Sequence, residues 1–187
     1  MMVLEEALSK IAGATGVEKR AITNLKVLNE AYAYGSAFSR GLRVDLNGLV
    51  ILLISGTASI DESGNTLHVG DFRAQCRRTF ENIRGLLESE GASWKDIVRT
   101  TCYLRDIERD YAAFNEERTA FYREQELHPL PASTGIQAIL CRPELLIEIE
   151  AIAMYKQTGY VEVPRFNDEP FADHWFQKRL ACSTFGT

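Results

Sequence analysis

From Phe38 onward the apolar positions fall into short runs separated by turn-forming residues. The runs FSRGLRVDL and LVILLIS flank Asn47-Gly48, a dipeptide that accepts the positive φ of a two-residue hairpin turn. The second run is apolar on both faces, which predicts a strand deep in a sheet. GTASIDESGNTLHVG then reads as a loop. Asp71 can cap a helix, because its carboxylate accepts from free amides of the first turn. Phe72, Cys76, Phe80, Ile83 and Leu87 recur every three or four residues and predict its buried stripe. Arg77 with Glu81, and Arg84 with Glu88, are spaced for i,i+4 pairs on the wet side, and Gly91 stops the helix.

Residues 96–106, DIVRTTCYLRD, carry the β-branched and aromatic residues of a strand. A second helix is predicted over about Asp110 to Glu126, with Tyr111, Phe114 and Phe121 inward, and Pro129 and Pro131 end it. Two strands close the pattern, 132–140 and 145–155, joined by the turn CRPE. The order is ββαβαββ, an α+β fold with one sheet and two crossover helices on one of its faces. Residues 1–35 read as an N-terminal extension, where Leu4, Leu8 and Ile11 form a brief helical stripe that Gly13 and Gly16 break. Residues 36–156 are expected to form the domain. From Gln157 regular patterning fades, yet Tyr160, Phe166, Phe171, Trp175, Phe176 and Phe185 make the tail too aromatic for free disorder. It is expected to pack on its own domain or on a neighbouring subunit.

Composition narrows the function classes. A formal charge of -5 over 187 residues argues against a nucleic-acid backbone as partner. The apolar run Leu49–Ile54 is too short to span a bilayer, and MMVLEEALSK has acids where a secretory signal has basic residues. A cytoplasmic protein is the expectation. The four cysteines (Cys76, Cys102, Cys141, Cys182) form no CxxC pair, and His68, His128 and His174 have no ligand spacing, so neither a metal site nor a disulfide framework is indicated. Cys76 and Cys102 fit as small buried hydrophobes.

Two features point to chemistry. In LLIEIEAIAMY (145–155) alternation puts Glu148 and Glu150 on one face of a strand and Ile147, Ile149 and Ala151 on the other. Such carboxylates are either solvated at an edge or, in a cleft, able to serve as general acid or base. The second feature is Pro131-Ala132-Ser133-Thr134-Gly135, small and mildly polar within a strand, which admits another backbone or a ligand.

ISGTASI (54–60), QCRRTFENIRGLLESEGASWKDIVRTTCYLRD (75–106), FNEERTAFY (114–122), PAST and IEIEAIA, in that order, resemble the RidA/YjgF (Rid) family over about residues 35–156. The resemblance implies a chorismate-mutase-like ββαβαββ fold, a homotrimer with clefts between subunits, and cofactor-free hydrolysis of enamines or imines to keto acids and ammonia. Some members are described as endoribonucleases or translation inhibitors. It also implies that Glu148 orients the attacking water. Each cleft would be lined by Phe38, Ser55, Gly56, Thr57, Ser133, Thr134 and Gly135, with Ser55-Gly56 and Ser133–Gly135 offering backbone amides to a carboxylate or carbonyl.

The chain departs from the family pattern in two places. The family's deaminases carry an arginine directly after Pro-Ala, where it holds the substrate carboxylate; here that position is Ser133, which lacks the charged bidentate fork. Arg40, beside Phe38, is the candidate replacement. Arg142, in the turn between the last two strands, is the other cation considered as a replacement. SGTASI with FSRG looks nearer to the Rid-like domain of chorismatases, which hydrolyse an enol ether but are longer. The expectation is therefore a homotrimer that binds a small carboxylated metabolite and hydrolyses an imine-, enamine- or enol-type substrate. The alternatives are a non-catalytic metabolite-binding trimer and a chorismatase-like enol-ether hydrolase. No nucleic acid, membrane or cofactor is expected as a partner.

Overall fold

The computed structural model describes residues 17–30, 35–46 and 48–156, with the backbone alone at 160–163 and 175–178. Strand β1 is Glu18–Ala21, β2 Gly41–Leu46 and β3 Leu49–Ala58, followed by helix α1, Phe72–Glu88. After a short 3-10 turn at Trp94–Asp96 come β4, Ile97–Leu104, and helix α2, Ile107–Glu124. Strands β5, Ala132–Gln137, and β6, Ile147–Lys156, complete the domain. The sheet order is β1-β2-β3-β6-β4-β5, with β4 and β5 parallel and every other pair antiparallel. The predicted ββαβαββ succession is present, and β3 lies inside the sheet as its two-sided apolar pattern requires.

The hairpin turn falls where predicted: Leu46 pairs with Leu49, and Gly48 takes a φ of 89°. Asn47 lies outside the described residues. Asp71 caps α1 by accepting from the Ala74 amide at 3.0 Å, and the predicted stripe Phe72, Cys76, Phe80, Ile83 and Leu87 is buried. Phe80 stacks on Phe121 of α2 at 4.7 Å between centroids, and Trp94 meets both rings edge-on. These rings fill the layer between the helices and one sheet face, against Val50, Leu52, Ile149 and Ala153. Cys76 and Cys102 are buried there.

Several expectations are corrected. Helix α2 begins three residues earlier than its apolar stripe suggested, because Asp106 caps it through the Arg109 amide at 3.0 Å. Tyr111 is half exposed, at 50%, and not inward. Arg77 does not pair with Glu81: its guanidinium reaches across to Glu117 at 2.7 Å and Glu124 at 2.8 Å on α2, where carboxylates from a second helix outcompete a same-helix partner. Arg84 does approach Glu88, at 3.8 Å. Strand β5 stops at Gln137, not residue 140.

Part of the N-terminal extension is built into the domain. Strand β1 adds to the edge of β2, and Ile22 and Leu28 are 0% and 1% exposed in the core. Asn24 donates to the Gly85 carbonyl at 3.0 Å, which ties the segment to α1. Leu28→Ala should therefore cost about 2–5 kcal/mol of unfolding free energy, the range for a buried leucine, measured by urea denaturation. A loss below about 0.5 kcal/mol, typical of surface changes, would show the segment to be detachable. The stripe Leu4, Leu8 and Ile11 and most of the aromatic tail lie outside the described residues. Within the tail, Tyr160–Val163 (β7) and Trp175–Lys178 (β8) pair antiparallel. Regular structure thus resumes where patterning had faded.

Candidate functional site

The helix-free face of the sheet carries Glu148, and three local features place it. Alternation along β6 buries Ile147, Ile149 and Ala151 against the helices, which turns Glu148 and Glu150 to the other face. Gln75, fully buried on α1, donates to the Glu144 carbonyl and accepts from the Leu146 amide, both at 2.8 Å, so the start of β6 is pinned to the helix. The third feature is a β-bulge in β3. Ile54 pairs with Ala151 and Thr57 with Ile149, so three steps along β3 match two along β6. Gly56 sits in that bulge directly beneath the Glu148 carboxyl: a Cβ on Gly56 would lie 2.0 Å from Glu148 Oε1.

Phe38, Arg40, Gly56, Cys141, Arg142 and Glu148 line a cavity of about 370 Å³. Arg40 is 5% exposed and held by Asn29, donating through Nε to its carbonyl at 2.7 Å and through Nη2 to its Oδ1 at 2.9 Å. Its guanidinium lies 5.6 Å from the Phe38 ring centre. Arg142 donates to the Gly64 carbonyl at 2.7 Å. Both guanidiniums line the cavity and have neutral oxygens among their partners. Burial pushes the Glu148 carboxyl above the usual carboxylate range, and the neighbouring charge of Glu150 adds to the push. The arrangement is a partly desolvated acid facing a volume suited to a small metabolite, with cations at its wall.

Other expected site residues lie elsewhere or are already engaged. Ser55 donates its hydroxyl to the Ser39 carbonyl at 2.7 Å and its amide to the Arg40 carbonyl at 3.1 Å, so it does not offer that amide to a ligand. Thr57 is buried and donates to the Ser55 carbonyl. Thr57 thereby satisfies a carbonyl of the bulge, and Ser55 ties the bulge to the segment before β2. Arg40 precedes β2 and is not part of it.

Within one chain Ser133, Thr134 and Gly135 do not reach the Glu148 cavity. They lie on β5, the outermost strand, with β4 between it and β6. Ser133 accepts from Thr100 Oγ1 at 2.9 Å and from Arg118 Nη1 at 3.1 Å, and lines a separate cavity beside α2. Thr134 accepts from Arg99 at 3.2 Å, and Gly135 faces Tyr111. Tyr103, opposite Glu148 on β4, was missed. Its phenol is pushed up by burial and by Glu150 and Glu148. Alternation from buried Cys102 places Tyr103 on the carboxylate face, a signal present in the sequence. Among the described residues no group of His, Cys, Asp or Glu could hold a metal ion, and no helix is long and apolar enough to cross a membrane.

Residues 29–155 match the family described as Endoribonuclease L-PSP. The chain is 36% identical over 103 residues to the 3-aminoacrylate deaminase RutC of Acinetobacter baylyi, covering 55% of this chain and 78% of the relative. It is 35% identical over 106 residues to a RutC family protein of Pyrococcus abyssi, covering 57% and 79%. Among solved structures, the YjgF gene product of E. coli superposes with a TM-score of 0.61 at 27% identity, covering 73% of this chain and 99% of that one. E. coli TdcF with bound serine gives 0.61 at 25% identity over the same shares. One mixed sheet, two helices and the motif order agree with these matches: the chain belongs to the endoribonuclease L-PSP family, the Rid/YjgF proteins.

Proposed function

We propose that this protein is a cofactor-free hydrolase of a small carboxylated imine or enamine, with Glu148 as its general base and acid. The observation that carries the reading is the Glu148 carboxyl, seated over the Gly56 bulge, half-buried and with its proton affinity raised. An enamine is first protonated on carbon from solvent and becomes the iminium. In its charged form Glu148 then takes a proton from water as the oxygen attacks the C=N carbon. The resulting carbinolamine collapses to a carbonyl as Glu148 passes that proton to nitrogen, ammonia leaves and the hydroxyl proton is lost to solvent. Water is consumed and no electrons change hands. A base with a raised pKa is both stronger and able to hold the proton between the two steps. The deaminase name of the Acinetobacter relative and the serine bound to TdcF are consistent with a small nitrogenous acid as ligand.

The test is ammonia and keto-acid release from 3-aminoacrylate- and 2-aminoacrylate-type intermediates generated in situ, with chorismate as the enol-ether arm. Turnover of the nitrogenous acids above the buffer rate supports the reading. Turnover of chorismate alone moves the protein to the enol-ether class. A second reading, binding without turnover, is favoured by Ser133, because a hydroxyl stands where the deaminases of the family have their carboxylate-holding arginine. Calorimetric binding with no turnover of any of these acids would establish it.

The same reading requires an assembly that completes the cavity. Leu53 and Met154, on the face without helices, are 40% and 45% exposed, and Leu42, Ile51 and Ile152 lie beside them in register. An apolar sheet face of that kind needs a cover. The proposed cover is two further copies of the chain, so light scattering at micromolar concentration should give three times 21.0 kDa. A stable monomer would remove the inter-subunit site.

A further inference from the structure

A second cavity lies beside α2. It measures about 400 Å³ and is lined by Arg118, Tyr122, Arg123, Leu127, Leu130 and Ser133, among others. Two arginines thus share one cavity in a chain whose formal charge is -5. Most arginines on the two helices are neutralised: Arg73, Arg77, Arg84 and Arg109 each pair with carboxylates. Arg118 has no carboxylate partner among the described residues. It donates through Nη1 to Ser133 at 3.1 Å and through Nη2 to Asn115 Oδ1 at 2.6 Å, and its guanidinium lies 4.7 Å from the Phe114 ring centre. An aromatic platform and two neutral acceptors fix the plane of a cation whose charge remains uncompensated. That is a preorganised anion site, since the guanidinium need not be ordered when the ligand arrives.

We propose that Arg118, set against Ser133 and assisted by Arg123, is the group that holds the carboxylate of this protein's substrate; this rests on the metabolite-hydrolase reading above. The cation absent from β5 is supplied from the neighbouring helix, and Ser133 orients it. A small residue at position 133 leaves room for the guanidinium to reach the strand. Leu127 and Leu130 offer an apolar wall for a short carbon chain, so the ligand class is a small organic acid with one carboxylate and a short aliphatic body. In a trimer this edge of one subunit would close on the Glu148 cavity of the next. The carboxylate would then bind on one chain and the C=N carbon would react on the other.

The test uses 2-oxobutanoate, a short keto acid, titrated calorimetrically into the full-length protein, with its methyl ester and inorganic phosphate as comparison probes. Wild type should bind the acid and not the ester. Arg118→Gln should weaken binding by about 10-fold or more, the cost of losing a charge-assisted fork, and Arg84→Gln, on α1 and paired with Glu88, should bind as wild type does. Ser133→Arg should also weaken binding, because a second guanidinium would sit against the first. Unchanged affinity in Arg118→Gln, tighter binding in Ser133→Arg, or no binding by wild type would overturn the assignment. Phosphate binding in place of the acid would overturn the substrate class. If Arg118→Gln does not fold, the Arg118 side-chain NMR resonance of wild type decides: it must shift on titration. The two proposals fail separately. Full turnover by Glu148→Gln with lost binding in Arg118→Gln sinks only the mechanism, and the reverse pattern sinks only the carboxylate site.

Discussion

Glu148→Gln should lower turnover by about 10²–10⁴-fold, the usual worth of a positioned general base, and at the same time raise the thermal midpoint at neutral pH. The two effects share one cause. Burial, reinforced by Glu150, raises the Glu148 carboxyl above its ordinary 4.5. The folded protein therefore holds that proton more tightly than the unfolded chain does. Its contribution to stability is most favourable below the ordinary value and is lost as pH rises from there through the raised value, so above that window the full penalty of a buried charge remains. Glutamine fills the same space without the charge. Melting curves of variant and wild type should thus separate as pH rises from about 4 to neutrality and converge at the acid end. Glu150→Gln, on the same face but exposed, should change both quantities less. Equal rates for wild type and Glu148→Gln would make the glutamate a structural residue.

Gly56→Ala should cost about 10²-fold in turnover with little change in folding stability. The added methyl carbon would lie 2.0 Å from Glu148 Oε1 and 3.0 Å from its Cδ. What it strikes is the end of a flexible side chain, which can turn aside for about 0.5–1.5 kcal/mol. The backbone of the bulge need not move. A carboxyl displaced by an ångström or more from its working position is a large catalytic loss, of about two orders of magnitude. The variant should therefore resemble Glu148→Gln in activity and wild type in its denaturation midpoint. A large drop in stability with intact specific activity would mean that Gly56 serves the bulge and not the carboxyl.

Much of the fold was legible because it depends on local pattern. The Asn47-Gly48 hairpin, the Asp71 cap and the stripe from Phe72 to Leu87 each follow from a few adjacent residues, as does the facing of Glu148 and Glu150. The misses involve partners far away in sequence. Arg77 pairs with Glu117 and Glu124, 40 and 47 positions on. Arg40 is oriented by Asn29, which helical or strand spacing cannot announce. Strand β1 lies in a segment whose EKRA has no apolar alternation, because it pairs at an edge where neither face needs to be buried. At the site, the acid and the glycine beneath it were readable. The occupation of Ser55 by the bulge was not, since a register shift between β3 and β6 has no signature in either strand alone. Nor was the approach of Arg118 to Ser133, which depends on how α2 lies over β5.

The short outer strand β1 bears on solubility as well as on the fold. A strand ending a sheet leaves half of its peptide groups unpaired, and a long apolar one invites other chains to add to it. Here the hydrophobic hairpin β2–β3 is shielded on its outer side by four residues, Glu18-Lys19-Arg20-Ala21, all exposed. Three consecutive charges on so short a segment make a poor template for sheet extension, and an approaching strand would have to desolvate them. Lateral growth is thereby discouraged on this side, and any ordered association is left to the broad face and to β5. A truncation that began at the family match, residue 29, would strip this guard and bare the Gly41–Leu46 edge, so a shortened version of the protein would be prone to fibrous aggregation for reasons unconnected with its chemistry.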